Sequence, residues 1–299
     1  MKYHISIHIS PYEIDNYQTF IQQLRRNLNY TEDEIIFTPY LNLSHYFYDW
    51  SNSTLQSDYF VNRFNELNSI VKDECELNST INYDNKILGA FSYKTYFLNK
   101  YKNNVDAFIW FDSDMIFPDN TISTLIAAHK GVDNKYCVIS PQIVKLWDNT
   151  WDVLVNEKYI NTPASHDNYF GFDGYNLYEN NQSELSVIKN DGRFKFASGW
   201  CNLLSADLFK DLIDFTYDLG HYGPDDTFIM NVLDHYKFNK NKNINQYIIK
   251  NLIVTENYKH SLNQYEGLIT KNPSIMSKKE FTDNVNQAVS KRLNEIINE

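Results

Sequence analysis

Residues 107–117 have the sequence AFIWFDSDMIF, in which an apolar run ends in two carboxylates one residue apart and then resumes. A continuous apolar run of this kind is typical of a strand that is buried on both faces of a sheet. Asp112 and Asp114 at its end are costly to bury unless a bound cation compensates their charge. Open α/β sheets also bind their ligands at the carboxyl ends of their strands. The segment therefore predicts a ligand site at the end of a central strand.

The chain on either side of this strand alternates between predicted strands and helices up to about residue 141. Period-two alternation or short apolar runs predict strands at residues 2–9, 34–38, 105–111 and 137–141. Helical spacing predicts a helix that opens at Ser10-Pro11 and further helices at 56–77, 87–102 and 121–129. This alternation predicts a largely parallel sheet with crossover helices.

The pattern changes after residue 141. Residues 142–196 are rich in Asn, Asp, Trp and Tyr, which predicts long loops with some antiparallel strand. Beyond them we expect helices at 206–215 and 225–238 and a last strand at 247–255. Residues 277–297 form a charged amphipathic pattern, which suits a helix that either packs on the body or mediates self-association into a homo-oligomer.

Composition and charge exclude several classes of protein. The net charge of −11 over 299 residues argues against a nucleic-acid-binding surface or a patch for anionic membranes. Three widely spaced cysteines give neither a disulfide framework nor a zinc spacing, which favours a reducing, cytoplasmic compartment. The N-terminus lacks the apolar core of a signal peptide, and no apolar stretch reaches the roughly 18 residues of a transmembrane helix. We therefore expect a cytoplasmic protein, with peripheral attachment to a membrane left open.

The two aspartates suggest metal chemistry. Carboxylate oxygens suit Mg²⁺ or Mn²⁺, which bridge diphosphate oxygens and stabilise charge on a phosphate leaving group. Asp114 would bind the ion directly, while Asp112 would bind a sugar or an outer water. The plainer interpretation is a turn with two solvated acids after a strand. The chain has no Gly-x-Gly-x-x-Gly and no Walker-type loop, so dinucleotide oxidoreduction and P-loop chemistry have no support.

The acidic segment resembles the Asp-x-Asp segment of family-two-like nucleotide-sugar glycosyltransferases of the GT-A fold. Three further segments that resemble motifs of these enzymes follow in the expected order. They are a glycine-containing acceptor-side loop at 197–204 (ASGWCNLL), an acidic helix start at 223–229 (GPDDTFI) and a C-terminal strand with a trailing histidine at 254–260 (VTENYKH). The resemblance extends over roughly residues 2–262.

This resemblance implies a Rossmann-like α/β fold with a mostly parallel central sheet flanked by helices. Residues 1–272 would form one catalytic domain, with a nucleotide-sugar-binding half (1–115) and an acceptor-side half (116–272), followed by a C-terminal amphipathic helix (273–299). It also implies a Mn²⁺ or Mg²⁺ cofactor held by Asp114 and Asp112 with His260, a nucleotide-diphosphate sugar donor, and a saccharide or other hydroxyl acceptor.

The acidic helix start supplies two candidates for a catalytic base. The family's base is the second acid of a Glu-Asp pair, which favours Asp226, but this chain has Asp at both positions and Asp225 stays open. Such a base would deprotonate an acceptor hydroxyl for in-line attack and inversion at the anomeric carbon. Retaining enzymes share the fold and the Asp-x-Asp segment, so the stereochemical alternative also stays open. The plainer interpretation is capping of a helix N-terminus by acids.

Other candidate residues would contact the substrates. Gly199 permits close approach of the backbone to a ligand, and Trp200 beside it offers a flat apolar face to a sugar ring. Lys94 occupies a position where the fold often has a donor-contacting residue, although a solvated helix lysine is an equal alternative. The remaining candidates are the aromatic pair Trp147 and Trp151, the loop residue His221, and Ser10 and Pro11 after the first strand.

Two other classes of protein compete with the transferase interpretation. In an Asp-x-Asp phosphatase or phosphotransferase the first aspartate is a nucleophile, but Met115 and the Gly-Pro-Asp-Asp segment fit that class poorly. A non-catalytic sugar-binding module would explain the aromatic loops, yet it leaves the buried carboxylates, the acidic helix start and the trailing histidine without a role. We therefore expect a metal-dependent, inverting glycosyltransferase.

Overall fold

A computed structural model describes residues 1–44, 54–83, 90–144, 185–194, 201–213 and 225–256. It also describes residues 283, 287, 290, 291 and 293–296 near the C-terminus.

The described strands form one mixed sheet. They are β1 (Lys2–Ile9), β2 (Glu34–Asn42), β3 (Glu76–Leu77), β4 (Thr80–Asn82), β5 (Ala107–Phe111), β6 (Met115–Ile116), β7 (Cys137–Val144), β8 (Val187–Asn190), β9 (Cys201–Ser205) and β10 (Asn245–Glu256). The order across the sheet is β3-β2-β1-β5-β9-β7-β10-β6, with β4 paired to β2 and β8 to β10. Of these ten described strands only β6, β8 and β9 run against the others. The expected α/β class with a mostly parallel sheet is confirmed.

Five α-helices in the described part of the chain cover the sheet. They are α1 (Ile14–Leu28), α2 (Ser57–Asn68), α3 (Ala90–Tyr101), α4 (Thr121–Gly131) and α5 (Asp225–Asp234). A 3₁₀ turn at Pro11–Glu13 leads into α1, and π-helical turns follow at Leu208–Leu212 and His235–Asn239. The apolar stripe of α1 explains its docking, since Tyr17, Phe20, Ile21 and Leu24 are all fully buried.

The strand predicted from residues 107–111 separates two hydrophobic cores. Ile109 and Phe111 belong to the core beneath α1, α2 and α4, whereas Phe108 and Trp110 belong to the core beneath α3 and α5. Side chains alternate between the two faces of a strand, so this unbroken apolar run is buried on both sides. The expectation of a doubly buried strand is therefore confirmed.

Several predicted elements differ from the observed ones in extent or type. The helix expected at 56–77 ends at Asn68, and the chain then forms β3 in parallel with β2. The helix expected at 206–215 is shorter, since its π-helical turn ends at Leu212. Part of the expected acceptor-side loop is β9, which pairs antiparallel with both β5 and β7. The five residues of β9 have no alternating pattern that would predict a strand. Pairing with β5 and β7 therefore determines their strand conformation.

The described residues of the C-terminal segment are helical, as the amphipathic pattern predicts. Ile296 is part of the core beneath α3 and α5, and Leu293 packs against the same core. The helix therefore rests on the body of the molecule. Among the helices that the structure describes, none combines the length and the apolar character needed to cross a membrane.

Candidate active site

The carboxyl ends of neighbouring parallel strands meet at one edge of the sheet. Ser10 follows β1, and Asp112 follows β5, which is paired in parallel with β1. Ser10 and Pro11 are both buried, and Asp112 and Asp114 are half-buried. The edge therefore brings the first loop and the acidic segment together, at the place where α/β sheets bind ligands.

A tight turn, which we call the acidic turn, comprises Asp112, Ser113 and Asp114. Its backbone closes through a hydrogen bond in which the Met115 amide donates to the Asp112 carbonyl over 3.4 Å. The chain then reverses into β6, which pairs with the end of β10 so that Met115 lies opposite Glu256. The end of the last strand is thus beside the acidic turn. His260, four residues further along, lies outside the described residues.

Glu13 links the acidic turn to the loop after β1. The Ser113 hydroxyl donates to Glu13 Oε1 over 2.7 Å, and the Ser10 backbone amide donates to Glu13 Oε2 over 2.6 Å. Glu13 is not among the site residues predicted from the sequence. The signal that could have found it is the Ser-x-x-Glu spacing at residues 10–13, a capping-box pattern that places a glutamate beside the strand end.

Three acidic side chains influence one another at this edge. Burial raises the pKa of Asp114 to about 7, and the carboxylates of Asp112 and Glu13 add to this effect. Burial also raises the pKa of Glu13, against the hydrogen bonds from Ser113 and Ser10 that favour its ionised form. A cation bound here would offset the repulsion among these carboxylates and favour their ionised forms.

Hard oxygen donors on partly buried carboxylates fit Mg²⁺ or Mn²⁺ better than softer metals. Within the described residues, however, no group of three or more His, Cys, Asp or Glu side chains is arranged to hold a metal ion. A metal ion bound by Asp112 and Asp114 would therefore need water, oxygen atoms of a bound ligand or a side chain from outside the described ranges, such as His260, to complete its coordination shell.

Lys94 is buried rather than solvated. Only 2% of this α3 residue is exposed, and its Nζ lies 5.5 Å from the ring centroid of Trp110. Trp110 is two residues before Asp112. The pKa of His8 is lowered to about 3, first by burial and then by the positive charge of Lys94. The alternative of a solvated helix lysine is thus wrong, and the positive charge of Lys94 is enclosed beside Trp110.

A polar cluster fixes the carboxyl end of β2. Asn42 accepts hydrogen bonds at Oδ1 from Asn82 Nδ2 and from the Ser44 backbone amide, both over 3.2 Å. Its own Nδ2 lies 3.3 Å from His8 Nε2. These contacts tie β1, β2 and β4 together at the carboxyl end of β2.

The acidic helix start is confirmed as a helix start, since α5 begins at Asp225. The side chains of Asp225 and Asp226 lie outside the described residues. The buried stripe of α5 consists of Phe228, Ile229, Val232 and Leu233. Its first three members follow Asp225 at helical spacing, whereas Ile229 and Leu233 follow Asp226. The helical spacing therefore leaves both Asp225 and Asp226 open as the base.

Several residues selected from the sequence lie outside the described ranges. They are Gly199 and Trp200 of the acceptor-side loop, Trp147, Trp151, His221 and His260. Among the described candidates, Ser10, Pro11, Asp112 and Asp114 share the edge, and Lys94 lies against Trp110.

Comparison with known proteins gives a weak likeness to a solved structure. No family model matches the chain, and no curated protein matches it. Among solved structures, the chain is similar to S. aureus TarS 1-349, with a TM-score of 0.46 and 12% sequence identity. The match covers 99% of this chain and 83% of the other. Likeness at this level does not identify an activity.

Proposed function

We propose that this protein is a metal-dependent glycosyltransferase of the GT-A type, which transfers a sugar from a nucleotide diphosphate to an acceptor hydroxyl. The observation that carries the proposal is the acidic turn. Two carboxylates end a doubly buried central strand, at the edge where the first loop and the end of the last strand also lie, and a buried lysine lies over Trp110, two residues before the first carboxylate. Ligand binding is the role that best explains acidic groups concentrated at this edge.

Asp114 and Asp112 are the residues that would hold Mn²⁺ or Mg²⁺, with His260 as a further ligand. A divalent ion, when bound there, would stabilise the negative charge of the departing diphosphate. The elevated pKa of Asp114 supports this assignment, because the carboxylates of Asp112 and Glu13 repel its ionised form and a cation would reverse that penalty.

The donor and the acceptor would occupy different parts of the edge. Ser10 and Pro11 would contact the donor from the loop after β1. Lys94, a residue of α3, would contribute positive charge. The acceptor side would be formed by residues outside the described ranges, namely Gly199, Trp200, Trp147, Trp151 and His221.

Asp226, or Asp225 in its place, would act as the base. It would take the proton of the acceptor hydroxyl as that oxygen attacks the anomeric carbon, while the bond from this carbon to the diphosphate oxygen breaks. The configuration at the anomeric carbon would invert. A retaining reaction on the same fold is the alternative, and the stereochemistry of the product distinguishes the two.

A thermal-shift screen of nucleoside diphosphates with and without Mn²⁺ tests the binding half of the proposal. A ligand that binds only the native state raises the melting temperature. We expect a shift that needs both Mn²⁺ and nucleotide, that disappears in Asp114→Ala and that persists in Asp226→Asn. The matched control is Asp133→Ala, which removes an exposed carboxylate after α4. Sugar binding that ignores both chelator and nucleotide would instead support a non-catalytic carbohydrate-binding protein.

A further inference from the structure

We propose that Glu13 is a positioning residue, which holds the acidic turn in place through Ser113 and ties it to the loop after β1. The inference rests on the proposed function, since it gives Glu13 a role in setting the geometry of the suggested metal ligands. Glu13 is 100 positions away from Ser113 in the sequence, so the contact depends on the tertiary fold.

The carboxylate of Glu13 serves one partner with each oxygen. Oε1 accepts the Ser113 hydroxyl at 2.7 Å, and Oε2 accepts the Ser10 amide at 2.6 Å. Hydrogen bonds to an ionised acceptor are stronger than neutral ones, and a bidentate arrangement also fixes orientation. A glutamine could keep both contacts only if its amide nitrogen donated to the Ser113 hydroxyl oxygen, which would reverse that hydrogen bond and remove the charge that strengthens it.

Glu13 is itself held firmly on its own side. Its backbone amide donates to the Ser10 carbonyl over 2.9 Å, so backbone and side chain both bind Ser10. Pro11 within the 3₁₀ turn fixes one backbone dihedral and reduces the freedom of the turn further. The carboxylate therefore projects from a rigid base toward the acidic turn.

The other end of the acidic turn is fixed by α1. The side chain of Gln23 donates to the Met115 carbonyl over 3.2 Å and accepts the Phe117 amide over 2.7 Å. Asp114 thus lies between two anchors, Glu13 at Ser113 and Gln23 at Met115. A third carboxylate beside Asp112 and Asp114 is electrostatically unfavourable, and the positioning role gives a reason for its presence. Partners that orient metal ligands typically change metal affinity about 10- to 100-fold when they are removed.

The test is a double-mutant cycle with Glu13→Gln, Ser113→Ala and the combined variant, measured by Mn²⁺ affinity and by amide hydrogen exchange of residues 112–117. Ser113→Ala breaks the contact without changing any charge. We expect each single variant to weaken Mn²⁺ binding about tenfold and to speed exchange in the acidic turn. The double variant should lose less Mn²⁺ affinity than the sum of the two single losses, because both changes act on the same contact.

The control is Asp15→Asn, which removes an exposed negative charge two residues from Glu13 and should leave both readouts unchanged. Amide hydrogen exchange of the acidic turn that is unchanged in Ser113→Ala and Glu13→Gln would overturn the positioning role. The role would also be overturned if the loss of Mn²⁺ affinity in the double variant equalled the sum of the two single losses. The exchange measurement does not depend on metal. A wild-type protein that binds no Mn²⁺ would therefore refute the proposed function, while exchange would still decide the role of Glu13.

Discussion

At the scale of single residues, charge and burial oppose each other most clearly at Asp114. Burial raises its pKa to about 7, and Asp112 and Glu13 contribute, whereas its ordinary value is 3.8. At pH values between 3.8 and about 7, Asp114 keeps its proton in the native state but releases it in the unfolded chain. The stabilisation from this proton is complete below about pH 4 and is lost as the pH rises through 7. Above pH 7 the metal-free native protein carries an unfavourable carboxylate.

Replacing Asp114 by asparagine should therefore stabilise the metal-free protein at pH 8. The amide removes one of the repelling charges at little change in volume, and we expect the melting temperature to rise by about 2–4 °C. Asp133→Asn is the control, since Asp133 is exposed and should show no such gain. A lower melting temperature for Asp114→Asn would mean that the ionised carboxylate has a stabilising partner in the absence of metal.

The contribution of His4 to stability depends on pH in the opposite direction from that of Asp114. It is fully buried, its Nε2 is hydrogen-bonded to Thr38 Oγ1 at 2.8 Å, and its ring stacks on Tyr101 at a centroid distance of 4.6 Å. Burial, with a smaller contribution from Lys100, lowers its pKa from 6.5 to about 3. The unfolded chain therefore takes up a proton that the native state excludes. The stabilisation that comes from keeping His4 neutral is fully present above pH 6.5 and is lost as the pH falls toward 3.

The variant His4→Phe should flatten this acid dependence. A phenyl ring keeps the aromatic packing but does not titrate, so the free energy of unfolding should fall less steeply between pH 6.5 and 3. The expected difference is about 1.4 kcal/mol per pH unit, which corresponds to one proton. Urea unfolding at a series of pH values measures it. Identical acid slopes in both proteins would show that His4 is protonated in the native state.

At the scale of elements, α1 holds the chain that follows the acidic turn. Besides the two contacts of Gln23, Asn27 one helical turn later donates to the Pro118 carbonyl and accepts the Ile122 amide, each over 2.9 Å. Two buried amide side chains on one helix thus satisfy backbone groups from β6 to the start of α4. Without them these buried groups would lack hydrogen bonds, which is costly.

The neighbouring glutamines Gln22 and Gln23 offer a matched test of this helix. Gln23→Leu leaves the Met115 carbonyl and the Phe117 amide without their partner, at about 1–3 kcal/mol for each group. Gln22 is exposed, so Gln22→Leu should change stability by less than about 0.5 kcal/mol. Chemical denaturation of both variants measures the difference. Equal effects would show that the contacts of Gln23 contribute no net stability.

The elements also show why some features were predictable and others were not. β5 was predictable because its apolar run reports burial on both faces, and the two aspartates after it were correctly placed at the sheet edge. β9 was missed because its strand state comes from pairing with β5 and β7. The burial of Lys94 and the contact between Glu13 and Ser113 depend on which distant elements meet, which local patterns do not encode.

At the scale of the whole molecule, β9 joins the two predicted halves of the chain. It lies between β5 and β7, so the strands near the N-terminus and those near the C-terminus share one sheet. Leu203 of β9 is fully buried and lies opposite Ile109 on one side and Ile139 on the other. The described strands should therefore unfold together rather than as two units.

Truncation of Leu203 tests this cooperativity. Leu203→Ala should cost about 2–5 kcal/mol through the cavity it leaves, and hydrogen exchange should lose equal protection in β1–β2 and in β7–β10. Leu185 is 40% exposed, so Leu185→Ala is the matched control with little expected effect. Loss of protection in only one of the two strand groups would contradict a single cooperative sheet.

The central claim is that the acidic turn supports metal-dependent sugar transfer. Its most direct test is the release of nucleoside diphosphate from a panel of nucleotide-sugars, measured in Mn²⁺ and in excess chelator with the wild-type protein and with Asp114→Asn. The account predicts release from at least one donor in Mn²⁺, loss of that release in chelator, recovery when Mn²⁺ is restored, and a loss of about tenfold or more in Asp114→Asn. Full turnover in excess chelator, or wild-type turnover by Asp114→Asn, would contradict it.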